Sequence, residues 1–397
     1  MHTTACELLI EARVKDIPFG IVSPADFQYR EGSAVDARVV IEQPNISLYC
    51  LDHDHRRVIF VETPPDQDPL HAPFYFQAQY ELARRLIAVP YSTLHELASE
   101  IQIDPARIIL IYSTGRCGST LVSRVFDAIA DVASFSEPDV FSQLLILRSS
   151  GQADDPEIAT LLHDCLKVMC AQTCLAGKQH WAFKFRSYVT SLGDLLHEAM
   201  PEARVVFLYR AALPWAISFS RAFGPSDEVL ATLVQQSHRW LVPLIGDYVA
   251  SHAEPISYAE FLAYMWVSSM RAALELQRHE AAIFAARYED MQVAPHEVIA
   301  ALLSHCGIGV PERAALDRTL AKDSQAGTIA ARSETRRQAA RTMTEHELME
   351  FQRLLHAYEP GLAPDIIIPH TFRPSPPACG QTKEQGALWV NKGTKSA

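Results

Sequence analysis

Arg107-Ile-Ile-Leu-Ile-Tyr-Ser-Thr-Gly-Arg-Cys-Gly-Ser-Thr120 sets an apolar, β-branched run directly against a turn that holds two glycines. The run has the length and composition of a buried strand. Leu121 to Ala133 then carries helical periodicity, so the glycines stand between a strand and a helix. That order gathers successive backbone N–H groups and a helix N-terminus around one point, which suits phosphate or sulfate oxygens. Gly115 and Gly118 permit the turn, and Ser119 and Thr120 add hydroxyl donors at the helix start. In the nucleoside triphosphatase form, G-x-x-x-x-G-K-[ST], a lysine follows the second glycine. Here Ser119 takes that place, and the nearest cation is Arg116 inside the turn, which argues against an ordinary Mg-ATP or GTP site.

Downstream, apolar runs alternate with helical stretches, the pattern of a parallel sheet with crossover helices. His180–Phe185 and Arg204–Tyr209 read as strands, followed by helical Ser191–Met200 and by a helix around Pro214–Ser220. Residues 226–279 read as two long helices, Ala282–Tyr288 as a strand, and Pro295–Cys306 as a helix ended by Gly307. The expected fold is therefore α/β: a three-layer sandwich over residues 101–372 with a central parallel sheet and a P-loop-like phosphate-binding loop. Residues 1–100 form a separate, small α+β region of unassigned role. In it Ile46–Leu51 and Arg57–Glu62 make a hairpin around Asp52-His-Asp-His-Arg56, and Phe74 to Ala88 is helical. Residues 373–397, rich in Pro, Gly, Lys and Thr, read as a disordered tail.

A chain of 397 residues, 48% of them hydrophobic, can bury a substantial core. With 35 Lys+Arg against 47 Asp+Glu, its net charge of −12 speaks against a broad grip on nucleic acid or anionic lipid, so an anionic ligand needs a local cluster. No run of about 18 apolar residues occurs, and the first residues lack a charged leader with an apolar stretch, so no membrane insertion and a cytoplasmic location are expected. The eight cysteines are scattered without a C-x-x-C pair, and Cys165, Cys170 and Cys174 share one apolar-periodic helix, which reads as packing by reduced thiols. Asp52, His53, Asp54 and His55 read as a solvated turn, and no metal site is expected.

Arg116-Cys-Gly-Ser-Thr120 closely resembles the 5'-phosphosulfate loop of the sulfotransferases that use 3'-phosphoadenosine-5'-phosphosulfate (PAPS), with Cys117 where serine is commoner. Their 3'-phosphate site is a strand-end Arg followed eight positions later by a helix Ser, matched here by Arg210 and Ser218. A guanidinium and a hydroxyl so placed converge on one phosphate. Arg287-Tyr-Glu-Asp-Met291 resembles the family's late "YEDL" segment, and Tyr288 the position beside the donor's adenine. The three segments span residues 107–310, about half of the chain.

The resemblance implies a donor site of Gly115, Arg116, Cys117, Gly118, Ser119, Thr120, Arg210, Ser218 and Tyr288, with PAPS as co-substrate and 3'-phosphoadenosine-5'-phosphate (PAP) as product. It assigns Arg116 and Lys184 to charge stabilisation at the sulfuryl group. Cytosolic members place a histidine base shortly after that lysine, where this chain has Arg186. Glu137, in Ser134-Phe-Ser-Glu-Pro138, instead matches the glutamate base of the tyrosylprotein, bacterial and Golgi-type branch. Asp323–Thr328 with Arg332, Arg336 and Arg337 is either a basic segment closing over the donor or a charged connector. Two other readings stay open, a P-loop-type small-molecule kinase and a non-catalytic nucleotide-binding scaffold. The expected partner is a small-molecule or carrier-bound acceptor, with a homodimer left open.

Overall fold

Described here are residues 4–15, 17, 19–278, 282–322, 341–358 and 362–375 of a computed structural model. Thr4–Arg13 (β1), Phe27–Asp36 (β2), Ile46–Asp52 (β3), Arg57–Glu62 (β4) and Arg85–Pro90 (β5) make an antiparallel sheet in the order β2-β1-β5-β4-β3. Ile108–Ser113 (β6), Val132–Ser136 (β7), His180–Lys184 (β8), Arg204–Tyr209 (β9) and Ile283–Arg287 (β10) make a parallel sheet in the order β10-β9-β6-β8-β7. All six residues of β6 are buried, as a central strand covered on both faces requires. The chain runs from β6 outward to β7, returns to β8, then crosses to β9 on the other side of β6. This reversal opens a crevice at the carboxyl ends of the strands, where ligands of open α/β sheets bind.

Alternation along the strands separates two faces. Ile109, Ile111, Val206 and Leu208 pack with the helices Ser119–Asp127, Pro295–His305 and Arg313–Ala321. Leu110, Phe183, Phe207 and Tyr209 pack with Val140–Ser149, Asp155–Cys174 and Tyr258–Arg278. The second cluster continues into the antiparallel sheet through Leu48, Val58, Phe60 and Ile87, so the two sheets share one core through the helices. Gln143 links them by polar contacts too: its side-chain oxygen accepts from Leu51 N (2.7 Å) and its Nε2 donates to Leu51 O (3.1 Å).

The hairpin β3–β4 lies where its pattern placed it, with Asp52 accepting from Arg57 Nε (2.8 Å) and held against His55. Among the described residues no His, Cys, Asp and Glu gather in a group of three placed to hold a metal. Cys165 and Cys170 are buried without disulfides, while Cys174, the last residue of the same helix, is exposed.

Several expected elements change. The helix over Phe74–Ala88 ends at Leu82, and Leu86–Val89 forms the buried middle of β5 between β1 and β4. β1 and β2, unremarked in the sequence, pair with each other along their length. The helix after the glycine turn stops at Asp127 rather than Ala133, because Val132 and Ala133 pair with β8 as β7. Residues 226–279 hold one long helix, Tyr258–Arg278, preceded by shorter pieces, because Pro243 cannot continue a helix through Val242. Thr371 and Phe372 bridge to Ala285 at the outer edge of β10. The basic segment 323–337 and residues 376–397 lie outside the described residues. No described helix is long and apolar enough to cross a membrane.

Candidate active site

The turn after β6 winds through left-handed backbone at Gly115 (φ 71°), Arg116 (φ 48°) and Gly118 (φ 84°). Two of these positions take glycine because a Cβ is penalised there. At Gly118 a side chain is excluded twice over, since a Cβ would stand 3.1 Å from the Tyr288 ring. The turn is fastened from beneath: Thr114 N donates to Leu208 O (3.0 Å), and the fully buried Trp215 donates from Nε1 to Thr114 O (2.8 Å). Ser119 and Thr120 open the following helix and are almost fully buried. Cys117 turns away from the crevice into the core, where its thiol donates to Leu208 O (3.3 Å) and burial pushes its pKa up. Its sequence-based place among the donor ligands therefore reduces to its main chain.

Arg210 leaves the end of β9 and Ser218 projects from the helix Ala212–Phe223. Both reach the turn from about a hundred residues away. Arg116 Nε donates to Ser218 Oγ (3.2 Å), and Arg210 Nη1 donates to Arg116 O (3.3 Å). The Arg210 guanidinium lies over the Tyr288 ring, 4.6 Å from its centre, a cation–π contact. Its Nε is buried with no hydrogen-bond partner among the described residues. Trp266 fixes the strand end by donating to Arg210 O (3.1 Å), and Glu289 accepts from Ala211 N (3.2 Å), which is how the Tyr288–Met291 segment sets the register here.

On the other side of β6, β7 ends at Ser136 and β8 at Lys184, paired residues in the parallel ladder. Glu137, the next residue, is forced into left-handed backbone (φ 63°) while its N–H donates to Lys184 O (2.7 Å). Arg116 and Glu137 are two of only four non-glycine residues with positive φ among those described. Such strain collects at functional sites. Lys184, 3% exposed, donates its Nζ to Glu137 Oε1. Arg186 lies beyond, with Nε 3.7 Å from Glu137 Oε2 and 3.1 Å from Asp139 Oδ1. Asp139 is buried, and burial raises its pKa against the opposing charge of Arg186. Nearby, burial pushes His238 down to about 4, so it stands neutral.

Apart from the Cys117 side chain, which faces the core, the sequence-derived site residues fall into two groups. Arg116, Arg210, Ser218, Tyr288 and the glycine turn form one, and Glu137 with Lys184 forms the other. Phe223 stands at the boundary, with the Arg116 guanidinium 5.5 Å from its ring centre. Sequence reading missed Trp215 and Trp266, which carry no motif, and saw Arg186 only as a missing histidine. Asp139 also escaped it, although its place two residues after Glu137 is a usable signal.

The fold and this crevice define an α/β protein with a glycine turn after the central strand and a charged pair at the neighbouring strand ends. The sulfotransferase family model matches residues 108–312, just over half of the chain, and the chain belongs to the sulfotransferase family. Among solved structures it is similar to the sulfotransferase domain of the Synechococcus PCC 7002 olefin synthase (16% identity, 65% of this chain and 96% of that one, TM-score 0.36). It is also similar to a sulfotransferase from Mycobacterium avium (12% identity, 68% and 80%, TM-score 0.39) and one from Alicyclobacillus acidocaldarius (10%, 62% and 95%, TM-score 0.33). No curated protein sequence matches it.

Proposed function

We propose that this sulfotransferase moves a sulfuryl group from PAPS to an acceptor hydroxyl, with Glu137 as general base, in the manner of the glutamate-base branch. The observation that carries the reading is the meeting of Arg116 with Ser218 and Arg210 at the glycine turn, residues 102 and 94 apart in sequence. The turn and Arg116 then hold the 5'-phosphosulfate, Arg210 and Ser218 the 3'-phosphate, and Tyr288 the adenine side.

In the reaction the acceptor oxygen forms a bond to sulfur as the bond from sulfur to the bridging oxygen of the donor breaks. The acceptor proton passes to Glu137, and PAP leaves with the electron pair. Arg116, permanently charged, offsets the charge that develops on the bridging oxygen. Lys184 is engaged with Glu137 in the structure. Sulfuryl oxygens draw its ammonium away and leave the carboxylate free to accept a proton.

The test pairs calorimetry with turnover. PAP should bind without magnesium, and [35S]PAPS should label at least one member of a panel of phenols, sugar alcohols, aliphatic alcohols and tyrosyl peptides. Tight Mg-ATP binding with no PAP binding would instead establish the kinase reading. PAP binding without any label transfer, to the panel or to water, would establish the scaffold reading.

A further inference from the structure

The Arg186 guanidinium has no counterpart in the chemistry above, yet its Nη1 edge and its face are held from several sides, while Nε and Nη2 are buried without a hydrogen bond among the described residues and Nε makes only ion-pair contacts. Its side chain is 12% exposed. Nη1 donates to Tyr188 Oη (2.9 Å) and to the backbone oxygen of Phe19 (3.0 Å), and the Phe76 ring lies beneath it with its centre 4.2 Å away. Phe19 and Phe76 belong to the N-terminal region, outside the residues matched by the sulfotransferase model. The same region grips Asp139, whose Oδ2 accepts from Val22 N (2.9 Å) while Ser142 donates to Oδ1. Phe19 packs edge-on to Phe74 (5.1 Å) and lies 6.1 Å from Phe223, the ring beside Arg116.

Lys184, Glu137, Arg186 and Asp139 thus form a cluster of two positive and two negative side chains, little exposed to water. Its members differ in freedom. Among the described residues Lys184 has Glu137 as its side-chain partner and can leave it, whereas Arg186 is held by three groups besides its carboxylates. Once Lys184 turns to the sulfuryl oxygens, the charge that remains at Glu137 is Arg186. A planar guanidinium fixed by stacking and a carbonyl is suited to holding a carboxylate in one place.

We propose that Arg186 is the positioning residue for Glu137, and that the N-terminal region, through Phe19 O, Val22 N–H and Phe76, is a working part of the active site by clamping Arg186 and Asp139. The inference rests on the reading of Glu137 as the base.

The experiment compares Arg186→Met, Arg186→Lys and Phe76→Leu with the full-length wild type, alone and in the Glu137→Gln background. It measures [35S] transfer from PAPS to the best acceptor of the panel, or to water, and PAP affinity by calorimetry. Arg186→Met should lower kcat about 30- to 100-fold, with Arg186→Lys regaining part of the loss and Phe76→Leu losing about 3- to 10-fold. PAP affinity should stay within about threefold throughout. In the Glu137→Gln background the same changes should cost almost nothing further, since residues acting through one another are not additive. Full additivity, or wild-type kcat in Arg186→Met, would overturn the proposal. If Arg186→Met fails to fold, Arg186→Lys and Phe76→Leu decide alone. Hydrogen exchange supplies a readout free of turnover: Val22 N–H should exchange faster in Arg186→Lys, and unchanged protection would sink the clamp. An active Glu137→Gln enzyme would instead break the base assignment, so the two failures are distinct.

Discussion

The glycine-turn half and the Glu137 half of this crevice are built by different means. Around the glycine turn the grip comes from residue types that only a few positions tolerate: glycines at φ 71° and 84°, a strand-end arginine, a helix serine. Around Glu137 the decisive contacts are backbone groups of a distant region, the Phe19 carbonyl and the Val22 N–H, 167 and 117 residues from their partners. Any residue supplies a carbonyl. The first half is therefore written in the sequence as a motif, and the second is written only in the fold.

The largest effect that sharpens this contrast is expected at Glu137. Glu137→Gln should lower kcat by roughly 10²- to 10⁴-fold while PAP affinity, which we assign to the other half, stays nearly unchanged. A parallel loss of PAP binding would show that the halves are not separable.

The shared core is the next test, because it ties the N-terminal sheet to the catalytic one. Phe60 is fully buried in the cluster that reaches both sheets, so Phe60→Ala should destabilise the protein by about 3–5 kcal/mol. Calorimetric unfolding should stay a single transition at a lower midpoint. Two resolved transitions would mean that the N-terminal region folds on its own and only leans on the site.

A smaller effect is expected at Arg210. Arg210→Ala removes a charge-assisted contact and should weaken PAP binding by roughly 10- to 100-fold. The loss should vanish with adenosine 5'-phosphosulfate, which lacks the 3'-phosphate. An equal loss with both ligands would place Arg210 elsewhere on the donor.

The smallest effect concerns pH. His238, neutral in the fold with its pKa pushed down to about 4, has an ordinary value of about 6.5 when unfolded. The unfolded chain then binds the extra proton first, so stability is intact above about pH 6.5 and falls as the pH drops toward 4, by on the order of 2 kcal/mol. Denaturation by urea at pH 7 and pH 5 measures it. His238→Phe should flatten the difference, and an unchanged slope would show that another group sets it.

How much was legible varied with the kind of signal. β6, β8, β9 and β10 stood out because strands buried on both faces need uninterrupted apolar runs. β1 and β2 did not, since their exposed and half-buried residues interleave without a clean alternation. β7 was swallowed by the preceding helix, because Val132–Ser136 is too short to announce its own period. Glu137 was found by its spacing from Arg116, while its left-handed backbone and its pairing with Lys184 were invisible.

By itself the sequence determined the parallel sheet and the glycine turn and singled out Arg116, Arg210, Ser218 and Glu137 as candidates, because local conformation and side-chain chemistry are carried residue by residue. Only the tertiary structure decided that Cys117 faces the core, that Arg186 stands against Glu137, and that the N-terminal sheet shares the catalytic core. Those outcomes depend on which surfaces meet when the chain packs and on main-chain donors and acceptors common to all residues, and neither leaves a mark on any single position.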